Sequence, residues 1–191
     1  MITIVSGLPR SGTSLMMQML AAGGVPILSD GERVPDADNP RGYCEWERIK
    51  QLPKDPACIA EAEGKAVKVI SQLLFALPAG SDYQIIFMER PLPEVVASQA
   101  EMIRRRGTTG APLPEAALIA GLRAHLNQVN AWLAQKPDIR VSRLDYHSVL
   151  RDPRAAAENV QIFLQRALDV ESMARQVDQS LYRQRRQEGG T

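Results

Sequence analysis

Within its first 22 residues the chain commits itself to one kind of fold. Ile2 to Ser6 are β-branched or small and largely apolar, and Gly7-Leu8-Pro9-Arg10-Ser11-Gly12-Thr13-Ser14 follows at once. From Thr13 to Ala22 the residues are good helix formers, and Gly23 and Gly24 supply a stop. A short buried strand, a glycine turn and a helix in that order form the first unit of an α/β sheet. The GxxxxG spacing is that of a phosphate-cradling loop. Backbone N–H groups turn inward, the helix N-terminus adds its positive end, and glycines permit close approach of an anion.

The rest of the chain repeats the alternation. Residues 25 to 44 are rich in Pro, Gly, Asp and Asn and read as a long loop, with a short strand at Val25 to Leu28. A helix is expected from Glu45 to just before Pro53, a strand over Lys65 to Ser71 and a short helix over Gln72 to Leu77. Gln84 to Glu89 is an apolar run of the kind a parallel sheet buries on both faces. Helices are expected from Pro91 to Arg106 and from Pro114 to Gln135. In the second, Leu118, Leu122, Leu126, Val129, Trp132 and Leu133 share one face. Asp138 to Leu144 reads as a strand, and Asp152-Pro153 as the cap and first position of a helix running to Arg166. A last helix carries Met173, Val177 and Leu181. The prediction is a single α/β domain over residues 1–191: a P-loop three-layer fold with a mainly parallel central sheet flanked by helices. Ligands in such sheets bind beyond the carboxyl ends of the strands, here Gly7 to Ser14, Glu89 to Ser98 and Asp145-Tyr146.

Composition narrows the partners. A formal net charge of +1 gives no overall field for nucleic acid or an anionic membrane, so any anion site must be local. No run approaches the roughly 20 apolar residues of a membrane span. The opening apolar stretch runs straight into glycine and reads as a strand rather than a secretory signal, which gives a cytoplasmic expectation. Cys44 and Cys58 are too few for a disulfide framework and lack metal-ligand spacing; both read as free thiols. Met16, Met17 and Met19 read as core packing.

One departure in the loop decides its chemistry. An ATP-type loop carries Lys directly after the second glycine, and here that position is Thr13. The nearest cation is Arg10, at the crown. Ser14 is positioned to serve as a metal-binding hydroxyl, but neither Lys65–Ser71 nor Gln84–Glu89 ends in an Asp, and no metal site is expected.

The segment Pro9 to Leu15, PRSGTSL, directly after a first strand, resembles the 5′-phosphosulfate loop of sulfotransferases that use 3′-phosphoadenosine 5′-phosphosulfate. By that resemblance Pro9, Arg10, Ser11, Gly12, Thr13 and Ser14 bind the donor, and Arg10 bridges the sulfonate and the leaving oxygen. The family also carries an Arg at a strand end and a Ser eight residues later, both touching the 3′-phosphate; Arg90 and Ser98 stand at that spacing. A guanidinium suits phosphate through parallel N–H bonds, and a hydroxyl adds one more. The stretch Leu144 to Leu150 with Asp152-Pro153 is similar to a third family segment, which implies Tyr146 near the adenine.

Sulfuryl transfer needs in-line positioning, charge stabilisation and a base for the acceptor. Many family members use a histidine, but His125 lies on a long helix and His147 beside the adenine segment. Other branches use a glutamate downstream of the first loop, which implies Glu45, with Asp38 and Glu47 as substitutes. Arg104 to Arg106 read as a helix C-terminal cluster. Arg183, Arg185, Arg186 and Gly189 stand where the family often has a late segment on the 3′-phosphate. The expected activity is sulfuryl transfer to a hydroxyl or amine of a small-molecule or carbohydrate acceptor, whose choice residues 29 to 45 and 107 to 115 would shape. The competing readings are an ATP- or GTP-dependent small-molecule kinase and a non-catalytic nucleotide-binding module.

Overall fold

A computed structural model describes residues 1–32, 36, 42–105, 107 and 113–178. Five strands form one sheet: β1 (Ile2–Gly7), β2 (Ile27–Leu28), β3 (Ala66–Lys68), β4 (Tyr83–Glu89) and β5 (Arg140–Asp145). All pairings are parallel and the spatial order is β2-β3-β1-β4-β5. The helices are α1 (Thr13–Ala22), α2 (Leu92–Arg105), α3 (Glu115–Ala134), α4 (Tyr146–Arg151), α5 (Pro153–Leu164) and α6 (Val170–Ala174). The α/β class and the parallel sheet expected from the alternation are both observed.

The central strands of this parallel sheet are covered on both faces. Every residue of β1 is buried, and so are the first six of β4. Two cores result. Ile4, Val67, Ile85 and Phe87 point to one face, against Val129 and Leu133 of α3. Val5, Ala66, Ile86 and Met88 point to the other, against Met16, Met17 and Met19 of α1 and Val160 and Met173 of α5 and α6. The three α1 methionines are core residues, as the sequence reading expects.

Several boundaries differ from the sequence reading. The helix expected from Glu45 is a 3₁₀ helix over Glu47–Gln51, and that expected over Gln72–Leu77 is a 3₁₀ helix over Ser71–Ala76. A third 3₁₀ helix, Pro56–Ala62, and α4 were not foreseen; both are too short for a periodic signal. Of the apolar face expected on α3, Val129 and Leu133 are buried but Leu118 is 37% exposed, because the first half of the helix projects beyond the core. α6 ends at Ala174, and Leu181 lies outside the described residues. Asp152 caps α5 as predicted, accepting from the Ala155 N–H at 3.0 Å.

Register aligns the strand ends. Gly7 pairs with Met88, and Glu89 with Asp145. After β1 the chain goes to the edge of the sheet as β2, returns beside β1 as β3, then crosses to β4 and β5 on the other side, so β1 and β4 flank the point where the order reverses. A ligand crevice opens at such a point.

Candidate functional site

The loop after β1 is held in a conformation that only particular residues permit. Gly7, Arg10 and Gly12 have φ of 146°, 77° and 100°. A Cβ on Gly7 would meet Ser11 Oγ at 2.5 Å and the Met88 carbonyl at 2.6 Å. A Cβ on Gly12 would meet Tyr146 Cδ2 at 2.5 Å. Arg10 has a side chain and pays for its left-handed backbone, about 1–3 kcal/mol for a non-glycine residue. Neighbouring elements hold it there. Arg90 donates through a terminal nitrogen to the Arg10 carbonyl at 3.0 Å, and Gln99 Nε2 donates to the Pro9 carbonyl at 3.0 Å. The Ser11 N–H closes the turn onto Leu8 O at 3.1 Å. α1 begins at Thr13, so the amides of its first turn have no acceptor within the helix. Ser11 Oγ is fully buried against Gly7, with no hydrogen-bond partner among the described residues.

Residues that follow β4 and β5 close on this loop. Arg10 Nε donates to Ser98 Oγ of α2 at 2.9 Å, so the crown cation and the second-anchor hydroxyl are in direct contact. The Arg90 guanidinium lies over the Tyr146 ring, Cζ to centroid 4.7 Å, and the same ring covers Gly12. Arg10, Gly12, Arg90, Ser98 and Tyr146, drawn from three strand ends, therefore form one cluster. Burial pushes the Tyr146 phenol up from its ordinary range, and the charges of Arg90 and Arg10 oppose that rise. Two residues with no predicted role here join them: Glu94 Oε2 accepts from Arg90 Nε at 3.0 Å, and His147 Nε2 lies 3.0 Å from the same oxygen.

A second group flanks the loop on the β3 side. Lys68 Nζ donates to Ser14 Oγ at 3.2 Å, to the Tyr43 carbonyl at 3.0 Å and to Glu45 Oε1 at 2.8 Å. Its side chain is 6% exposed. Ser14 Oγ in turn donates to the Tyr43 carbonyl at 3.3 Å, and Gln18 Nε2 to that of Gly42 at 3.0 Å. These bonds pin residues 42–45 onto α1 and bring Glu45 beside the loop through Lys68. The sequence carried a signal for Lys68: a charge inside the apolar run Ala66-Val67-Lys68-Val69 has to meet a partner or a ligand when buried. Cys44, next to Glu45, has φ 48°, and burial raises its thiol while Lys68 opposes. Cys44 and Cys58 are both free.

His125 goes elsewhere: its Nε2 lies 2.8 Å from Ser71 Oγ, and Phe75 meets its ring edge-on. Burial holds its pKa below the ordinary histidine value. Glu47 pairs with Lys50 on the surface, and Arg104 and Arg105 lie in the last turn of α2 and pair with Glu101. Asp38, Arg106, Arg183, Arg185, Arg186 and Gly189 lie outside the described residues, as does much of 29–45 and 107–115. Among the described residues no group of three or more His, Cys, Asp or Glu is arranged to hold a metal ion, and no helix is long and apolar enough to cross a membrane.

No family model matches the chain, and no curated protein matches it significantly. Solved structures do. The sulfotransferase domain of the Synechococcus PCC 7002 olefin synthase is 17% identical with a TM-score of 0.57, over 90% of this chain and 75% of that one. The sulfotransferase domain of the curacin biosynthetic pathway is 16% identical with a TM-score of 0.54, over 90% and 76%. A mouse sulfotransferase complexed with PAP is 15% identical with a TM-score of 0.62, over 98% and 67%. At such identities the likeness fixes the fold: the chain has the architecture of a sulfotransferase domain.

Proposed function

We propose that this protein transfers a sulfuryl group from 3′-phosphoadenosine 5′-phosphosulfate to a hydroxyl or amine of a small-molecule or carbohydrate acceptor. The observation that carries the reading is the convergence of two guanidiniums, Arg10 and Arg90, with Ser98 and Tyr146 on the glycine loop. A donor with phosphate at one end and phosphosulfate at the other carries an anionic group for each of the two guanidiniums. The mouse protein of the same fold, complexed with PAP, supports the choice of nucleotide.

In this reading Pro9 to Ser14 wrap the 5′ end of the donor. The amides of Gly12, Thr13 and Ser14 take its phosphate, while Arg90 and Ser98 take the 3′-phosphate. Tyr146 packs beside the adenine. The acceptor oxygen or nitrogen bonds to sulfur as the bond from sulfur to the 5′-phosphate oxygen breaks, and the electron pair leaves on that phosphate. Arg10 neutralises the charge that develops there. Its present bond to Ser98 means that the side chain reaches both ends of the site. Lys68, a second cation on the loop, steadies Ser14, and Glu45 receives the acceptor's proton. No metal enters this scheme. The free Cys44 and Cys58 thiols favour a reducing, cytoplasmic setting.

Calorimetric titration tests the reading. Adenosine 3′,5′-bisphosphate should bind without Mg²⁺, and ATP should compete poorly. Arg10→Ala and Arg90→Ala should each weaken the bisphosphate about tenfold or more, the loss of one charge-assisted contact. Tight binding of Mg²⁺-ATP with no bisphosphate binding would move the assignment to a kinase.

A further inference from the structure

Glu94 is in an unexpected place. It is a carboxylate, 6% exposed, inside a site that collects anions, and its negative charge opposes any phosphate brought to Arg90. The ion pair with Arg90 is no solvated i,i+4 helix pair, because the Arg90 side chain is only 7% exposed. Its geometry suggests what the carboxylate does. One oxygen, Oε2, takes Arg90 Nε at 3.0 Å and faces His147 Nε2 at 3.0 Å. With Nε engaged, the guanidinium can no longer swivel about its stem. Its plane rests on Tyr146 and a terminal nitrogen reaches the Arg10 carbonyl. His147 comes from α4, beyond β5, so the carboxylate that fixes Arg90 is itself braced from a different strand end.

We propose that Glu94, braced by His147, is the positioning residue of Arg90: it fixes the guanidinium so that its terminal nitrogens meet the 3′-phosphate of the donor. A free arginine samples many rotamers, and each anion contact must repay their loss; a guanidinium already locked by a carboxylate has lost them before the ligand arrives. Orientation therefore outweighs the added repulsion. This role rests on the donor reading above, since it concerns the 3′-phosphate alone.

The experiment compares adenosine 3′,5′-bisphosphate with adenosine 5′-monophosphate by calorimetry on the full chain. The unsubstituted protein should prefer the bisphosphate by about tenfold or more, the worth of one charge-assisted phosphate contact. Equal binding of the two nucleotides by the unsubstituted protein would remove the donor reading and this role with it. Given the preference, Glu94→Met should cut it about tenfold by weakening the bisphosphate. Glu94→Gln keeps an oxygen for the Arg90 Nε proton and should restore most of the loss. His147→Ala, on a side chain 37% exposed, should cut the preference about threefold with thermal unfolding near that of the parent, and it decides the matter if Glu94→Met does not fold. An unchanged preference in His147→Ala and Glu94→Met, or tighter bisphosphate binding by Glu94→Gln, overturns the proposal. Glu94 would then be a repelling counter-charge, with the donor reading intact.

Discussion

The contact between Gly12 and Tyr146 joins the loop after β1 to the helix after β5, and Gly12→Ala measures it. Two costs add. The backbone at Gly12 has φ 100°, and an L-residue in the left-handed region loses about 1–2 kcal/mol. The new methyl would also sit 2.5 Å from Tyr146 Cδ2 and 2.9 Å from Cε2, inside any real carbon contact. Forcing a methyl into a filled space costs about 1–3 kcal/mol. The expected sum is about 2–5 kcal/mol, read by urea unfolding at constant m-value. The two parts separate in a double-mutant cycle. Tyr146→Ala removes the ring, so in its background Gly12→Ala should cost only the backbone part, and the coupling should be about 1–3 kcal/mol. Additivity within about 0.5 kcal/mol would refute the packing of the loop on Tyr146 and the single cluster built from it. Nucleotide binding should vanish in Gly12→Ala, because the methyl and the shifted ring both disturb the cradle.

Two further outcomes follow from buried charge. Lys68→Met removes the Lys68 ion pair from the Glu45 carboxylate and the Lys68 bonds to Ser14 and Tyr43, and should lower stability by about 1–3 kcal/mol in urea unfolding; Lys68→Met with Glu45→Leu should recover part of that. His125 has its pKa lowered by burial from 6.5, so the unfolded chain takes a proton there before the folded chain does. Its contribution to stability is complete above about pH 6.5 and falls as pH drops through the lower folded value, and His125→Gln should flatten that acid limb in pH-dependent unfolding.

The sequence by itself determined the frame. Ile2–Ser6 is largely apolar and β-branched and Ile85–Met88 is a continuous apolar run, the kind of strand that a parallel sheet covered on both faces buries. Gly7, Gly12 and Thr13–Ala22 dictated strand, loop and helix, because the turn needs positive φ and the helix follows from local propensity. Arg90 and Ser98 were legible through the resemblance to the sulfotransferases, which carry an Arg at a strand end and a Ser eight residues later. Tertiary structure alone decided the partners. Glu94 and His147 are 53 residues apart in sequence, and only the β4–β5 register, with Glu89 level with Asp145, brings them to one oxygen. Lys68 reaches Ser14 and Glu45 because β3 lies beside β1, a neighbour relation that no local pattern encodes. Backbone form follows from short-range sterics and hydrophobic period, which are written in adjacent residues. The pairing of charges depends on which strands lie side by side, and that is settled only when the whole core is buried at once.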